Sequence, residues 1–190
     1  MSIVAGDSPN LARKVTNMAV QARPLPTDTG ILSPENEDKR DQLIEMLTKG
    51  YWMEVETVMN YISNSINPDG VRAQEVIEHI QTDITEEIGH AQQFGQRIKE
   101  LYGVVPGSED FQAEQSFLQP PSEQVDIVHV IKGVIEAETA AIVHYERIID
   151  FCDGLDLVTQ DMVIAIQRDE QQHRRLFEGF LREYEAEGKV

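Results

Sequence analysis

Four stretches of this chain repeat apolar residues every three or four positions, and each repeat is broken near its middle by one glutamate. The first runs Leu43, Leu47, Tyr51, Glu54, Val58, Tyr61, and the second Ile77, Ile80, Ile84, Glu87, Ala91, Phe94, Ile98, Leu101. The third runs Ile127, Ile131, Val134, Glu138, Ala141, Tyr145, Ile148, Cys152, and the fourth Met162, Ile166, Glu170, His173, Phe177, Phe180, Tyr184. Such spacing puts every member of one series on one face of an α-helix. No stretch is convincing as a strand, so the fold class expected is all-α, a four-helix bundle. A chain of 190 residues, 41% of them hydrophobic, can fill one such core. Each of the four glutamates is then aimed at the interior.

The punctuation between the series sets the boundaries. Ser33, Pro34 and Glu35 supply a capping hydroxyl, a proline at the first helical position and an acid at the positive end of the dipole. The first helix is expected to run from there to about Asn67, where Pro68, Asp69 and Gly70 break it. A second helix over 71–102 should stop at Gly103. The connection from Val104 to Pro121 is long and carries three prolines. It is read as a crossover between helices 2 and 3, which lets the third helix start from the far end of the bundle. Ser122 is expected to cap that third helix, which reaches about Cys152, and Gly154 to turn the chain into a fourth ending near Glu187. Residues 1–33, with Pro9, Pro24, Pro26, Gly6 and Gly30 and little periodicity, read as an extended N-terminal tail, and residues 34–190 as the bundle domain.

Helical register separates stripe residues from bystanders. Glu56 and Glu136 stand two positions from Glu54 and Glu138, about 200° around the helix, and are expected to be solvated. Glu86 and Asp169 are one position out of register and read the same way. His79, His129 and His144 are expected at the surface or an interface, and Trp52 against a neighbouring helix or subunit. Cys152 is the sole cysteine, which excludes an internal disulfide and a four-cysteine metal site, and it is read as a core residue.

The second and fourth stripes carry the same motif, Glu-x-x-His-x-x-x-Phe, at Glu87, His90, Phe94 and at Glu170, His173, Phe177. Upstream, Glu54 and Tyr61 are seven residues apart, as are Glu138 and Tyr145, and the intervals Glu54 to Glu87 and Glu138 to Glu170 are 33 and 32 residues. Two pseudo-equivalent helix pairs facing each other would bring four carboxylates and two imidazoles to one level. A bare carboxylate in an apolar core costs several kcal/mol, so four would cost about as much as a domain's whole stability. No lysine or arginine lies on these stripes at that level, whereas two divalent cations would balance four carboxylates. A dimetal site is therefore expected, with a carboxylate-rich donor set that suits iron or manganese better than structural zinc.

Charge narrows the partners. With 34 acidic against 16 basic residues the formal net charge is −18 and the pI near 4.5, which repels nucleic-acid backbones and attracts cations. Nucleic acid is thus an unexpected partner, despite Arg13, Lys14 and Arg23 in the tail. No stretch reaches the length of a membrane span and no leader pattern opens the chain, so the expected localisation is cytoplasmic, with no membrane.

The segment VTQDMVIAIQRDEQQHRRLFEGFL, Val158 to Leu181, resembles the fourth helix of bacterioferritins, and residues 35–187 resemble the ferritin-like superfamily, in particular the bacterioferritins and their Dps-like relatives. The resemblance implies a ferritin-like bundle with two iron ions per subunit, manganese being an alternative. Glu54 and His90 would bind one iron, Glu138 and His173 the other, and Glu87 and Glu170 would bridge. Tyr61 and Tyr145 would stand behind these ligands. Where bacterioferritin has its haem-ligating methionine this chain has Ile88, so haem is not expected. Only 17 residues follow His173, too few for the short fifth helix of a 24-subunit shell, and a homo-oligomer of 12 is favoured over one of 24. The implied activity is a ferroxidase that oxidises Fe(II) with O₂ or H₂O₂ and stores the product. The same ligands also serve di-iron oxidases or oxygenases and dimanganese catalases, and a DNA-protecting shell is a third alternative.

Overall fold

In the computed structural model, which describes residues 30–188, the four stripes become four α-helices: α1 Glu37–Ile66, α2 Gln74–Glu100, α3 Ile127–Cys152 and α4 Leu157–Ala186. They form the expected four-helix bundle. α1 packs on α2 and α3 on α4, and the two pairs meet across the core. Short 3₁₀ turns at Gly30–Leu32 and Pro34–Asn36 precede α1, and two more, Ser108–Asp110 and Ser116–Leu118, shape the crossover.

The core is divided along its length. One cluster gathers Leu43, Leu47, Phe94, Ile98, Ile148 and Val163, and the other Ile80, Val130, Ile131, Val134, Phe177 and Phe180. Each glutamate falls between members of the two clusters along its own helix, so apolar packing on both sides holds the polar level in place. Burial of large side chains at about 25 cal/mol per Å² makes these two plugs the main source of stability.

Several ends differ from the expected ones. Ser33 does not cap α1; it is buried and opens the 3₁₀ turn instead, while Glu37 and Asp38 supply the acidic first turn. α3 starts at Ile127 rather than near Ser122, because the Asp126 side chain accepts the backbone N–H of His129. At the end of α2 the left-handed residue is Tyr102, with φ 69°, and not Gly103. Gly103 is required for space: a Cβ there would lie 2.8 Å from Ile98 Cγ2. Of the expected tail, residues 1–29 lie outside the described residues, and Ile31 at 3% exposure is already part of the core.

The expectation that Glu56 is solvated is overturned. Its carboxylate is buried under the crossover and accepts the backbone N–H groups of Glu114 at 3.0 Å and Gln115 at 2.8 Å. Gln115 donates in turn to Thr57 at 2.8 Å and the Met53 carbonyl at 3.1 Å, and Asn64 donates to the Leu118 carbonyl at 2.8 Å. Glu56→Ala would leave buried N–H groups without an acceptor and is expected to cost about 2–3 kcal/mol. A urea denaturation series checks this, with an unchanged midpoint as the opposing result.

His144 is also buried rather than superficial, its Nε2–H donating to the Met46 carbonyl at 2.9 Å, and burial holds its pKa below the ordinary value. Trp52 meets Phe111 of the crossover, ring centroids 5.2 Å apart. His79 is half-buried beside Phe180, and His129 is exposed as expected. Cys152 is a core residue, its thiol pushed up to about 12 chiefly by burial.

Candidate metal centre

Between the two apolar plugs, Glu54 of α1, Glu87 and His90 of α2, Glu138 of α3, and Glu170 and His173 of α4 converge, each between 1% and 7% exposed. The Glu-x-x-His spacing sets glutamate and histidine one turn apart on one face. His90 Nδ1 accordingly lies 3.3 Å from Glu87 Oε2, and His173 Nδ1 lies 3.2 Å from Glu170 Oε2. The motifs also reach across the bundle. His90 Nδ1 is 3.0 Å from Glu170 Oε1, and His173 Nδ1 is 3.5 Å from Glu87 Oε1. Glu87 and Glu170 thus each face both rings.

Two overlapping donor sets result. Glu54, Glu87, His90 and Glu170 form one, and Glu87, Glu138, Glu170 and His173 the other, the ligand atoms of each set all within 4.8 Å of one another. The tyrosines back the unshared carboxylates crosswise. Tyr61 Oη donates to Glu138 Oε1 at 2.5 Å, and Tyr145 Oη donates to Glu54. The within-helix spacing of seven therefore does not pair a tyrosine with the glutamate of its own helix; each serves the opposite pair.

The electrostatics explain how the core tolerates this cluster. Burial, with the charges of Glu87 and Glu170 beside it, pushes Glu54 well above the usual carboxylate range. Burial and the same two neighbours do so for Glu138. Burial alone would also raise Glu87, but hydrogen bonds from His173 and His90 outweigh it and hold that group at about 2. Burial would lower the two histidines, yet the carboxylates of Glu170 and Glu87 raise His90 to about 10 and His173 to about 12. Metal-free, the site sets two protonated rings beside the Glu87 carboxylate, while Glu54 and Glu138 are pushed toward their protonated forms.

That balance leaves polar atoms unused. Glu87 Oε1 and Glu170 Oε1 are buried without a well-aligned hydrogen bond, despite the ring nitrogens nearby. Buried acceptors of this kind cost about 1–3 kcal/mol each and are what a cation would satisfy. Four carboxylates and two imidazoles fit a pair of divalent first-row ions.

The off-register neighbours of the ligands differ in what they touch. Glu136 is exposed as expected. Glu86 is exposed too, yet its Oε2 lies 2.8 Å from His173 Nε2, and Asp169 Oδ2 lies 3.7 Å from His90 Nε2. Asp83 escaped the sequence reading. It is 5% exposed, held up to about 6 mainly by burial, and its Oδ1 lies 3.8 Å from His173 Nε2. Its position one turn before Glu87 was the available signal.

In comparison with known proteins, residues 44–186 match the family model described as the ferritin-like domain. The chain belongs to the ferritin-like family. Within that family it is 29% identical over 142 residues to a bacterioferritin of Desulfovibrio desulfuricans, covering 62% of this chain and 79% of that one. It is 28% identical over 145 residues to the DNA protection during starvation protein of Pyrococcus furiosus, covering 74% and 77%. Among solved structures, a dodecameric thioferritin of Bacteroides fragilis, described as bacterioferritin-related, superposes with TM-score 0.70 at 24% identity, covering 79% of this chain and 90% of that one. A D. desulfuricans bacterioferritin, described with its diiron site in different catalytic states, gives 0.67 at 23%, covering 79% and 84%. No described helix of this ferritin-like chain is long and apolar enough to cross a membrane.

Proposed function

We propose that the centre is a ferroxidase: it takes two Fe(II) ions as substrate, oxidises them to Fe(III), and passes the product to storage within a shell of identical subunits. The observation that carries this reading is the pair of donor sets sharing Glu87 and Glu170. Glu54 and His90 would complete one position, and Glu138 and His173 the other. Each Fe(II) gives up one electron, so the pair supplies the two electrons that reduce O₂, with two protons, to H₂O₂, or H₂O₂, with two protons, to two waters. Delivering both electrons together avoids a one-electron oxygen radical.

The chain's own residues fix the spacing of the pair, and the apolar plugs close the bundle axis on either side of it. Tyr61 and Tyr145 orient the unshared carboxylates by hydrogen bonds, as outer partners of metal ligands do. A cleft of about 510 Å³ opens over the two histidines, lined by Asp83, Glu86, Asp169 and glutamine side chains. A polar, acidic approach favours a cation over an apolar organic substrate, which weighs against the oxygenase alternative.

The Bacteroides fragilis relative is described as dodecameric, and twelve copies of this chain in a cytoplasmic shell is the assembly expected here. Mass determination of the assembled protein together with anaerobic Fe(II) loading and timed oxidation tests the reading. The expected result is a shell that binds two Fe(II) per subunit and turns over an excess. A small oligomer that binds two ions and leaves excess Fe(II) unoxidised would overturn storage.

A further inference from the structure

A groove of about 520 Å³ lies between α1, α3 and the crossover, and none of the six residues of the metal centre lines it. Trp52, Met53, Phe117 and Val143 give it apolar walls, and Phe111 of the crossover braces the Trp52 ring. A cavity of that volume suits one small organic molecule.

The fold leaves two polar groups of its lining unused. His144 spends its Nε2–H on the Met46 carbonyl at 2.9 Å, so Nδ1 carries the lone pair of the ring, and no described residue donates to it. His144 is only 6% exposed, and an acceptor set that deep costs about 1–3 kcal/mol while it lacks a donor. Its ring stays neutral, held below the ordinary value by burial and, against the hydrogen bond to Met46, by the charges of Lys49 and Arg147. Arg147, one turn along α3, is the second group. In a chain with 34 acids and 16 bases it forms no ion pair among the described residues. The acids of the lining do not serve it. Glu56 accepts the backbone N–H groups of Glu114 and Gln115, and Glu114 pairs with Lys49 at 3.2 Å. Glu45 and Asp110 are exposed, where water and salt screen them.

We propose that this groove binds a small hydroxyaryl carboxylate: its carboxylate pairs with Arg147 beside Lys49, its hydroxyl donates to His144 Nδ1, and its ring lies against Trp52 and Phe117. Each part of the ligand answers one feature of the lining. An arginine fork matches a carboxylate with two parallel hydrogen bonds. An aromatic acid without the hydroxyl leaves Nδ1 unpaired, and a phenol without the carboxylate leaves Arg147 unpaired, so each analogue loses one of the two polar contacts.

Trp52 is the sole tryptophan of the chain, so its emission reports occupancy of the groove. The test is a titration of the metal-free, full-length protein with the three hydroxybenzoate isomers, benzoate and phenol, followed by calorimetry and by Trp52 emission. With no metal present, chelation at the dimetal centre plays no part. At least one isomer is expected to bind once per subunit, with the emission change saturating at the same ratio and with benzoate and phenol about tenfold weaker. Arg147→Gln, at an exposed position where folding is not at stake, is expected to weaken that isomer about tenfold and to leave phenol unchanged. His144→Phe is expected to bring the isomer down to the affinity of benzoate. Absence of binding by every isomer, benzoate binding as tightly as the best of them, or an unaltered affinity in Arg147→Gln would overturn the proposal. The ferroxidase reading is untouched by any of these results, because no residue of the groove is a ligand of that centre.

Discussion

Replacing Glu170 with alanine is expected to take the centre from two tightly bound divalent ions to none and to slow Fe(II) oxidation at least about a hundredfold, roughly 2.7 kcal/mol of barrier. The reason is its place in both donor sets and its contact with both rings, 3.0 Å from His90 Nδ1 and 3.2 Å from His173 Nδ1. Removing it strikes two positions at once. Glu87→Ala should behave alike. Glu54→Ala strikes one set only, and should keep one ion on the Glu138 and His173 side. The bundle should still fold in the Glu170 variant, because a ring that loses its carboxylate partner can shed its proton and stay neutral. Calorimetric titration with redox-silent Zn(II) reads the stoichiometries directly. If Glu170→Ala keeps one tight ion, as Glu54→Ala does, Glu170 is not a shared ligand.

The stripe glutamates were legible because a buried carboxylate on a period of 3.6 residues is a one-dimensional signal. An apolar series with one acid in it can be counted along the chain, and two Glu-x-x-His motifs at matching intervals fix the level at which the helices meet. Convergence of Glu54, Glu87, His90, Glu138, Glu170 and His173 needed no information beyond that count. Asp83 carried the same kind of signal, a polar residue one turn from Glu87, but Ile80 and Ile84 on either side made the series look apolar without it.

What covers a helix from outside is written differently. Glu56 is off its stripe by about 160° of arc from the core face and would be wet in a bare bundle. The crossover passes over that face, and its path is set by backbone N–H groups seeking acceptors rather than by any period in the crossover's own residues. His144 is hidden for a related reason, since its ring packs against α1 and donates to the Met46 carbonyl. The crosswise pairing of Tyr61 with Glu138 and of Tyr145 with Glu54 is likewise a property of two helices side by side, invisible in the interval within either one.

Binding of two divalent ions should release about four protons per subunit near neutral pH, and affinity should rise steeply with pH. In the metal-free protein both rings sit above their ordinary range, His90 at about 10 and His173 at about 12, held there by Glu170 and Glu87 against the opposing effect of burial. Glu54 and Glu138 are pushed well above the carboxylate range by burial and by the same two neighbours. Each of these four groups carries a proton that a metal must displace, whereas Glu87, held down at about 2, has none to lose. The sign follows: raised pKa values favour the protonated forms, so lowering the pH competes with the metal and raising it assists. Four displaced protons offset the charge of two incoming dications, so the buried level takes up the metal pair without a change in net charge. Titrating Zn(II) into the protein calorimetrically in two buffers of different ionisation enthalpy yields the proton count. Release of fewer than two protons would mean that the metal-free core is not held neutral by its own protons.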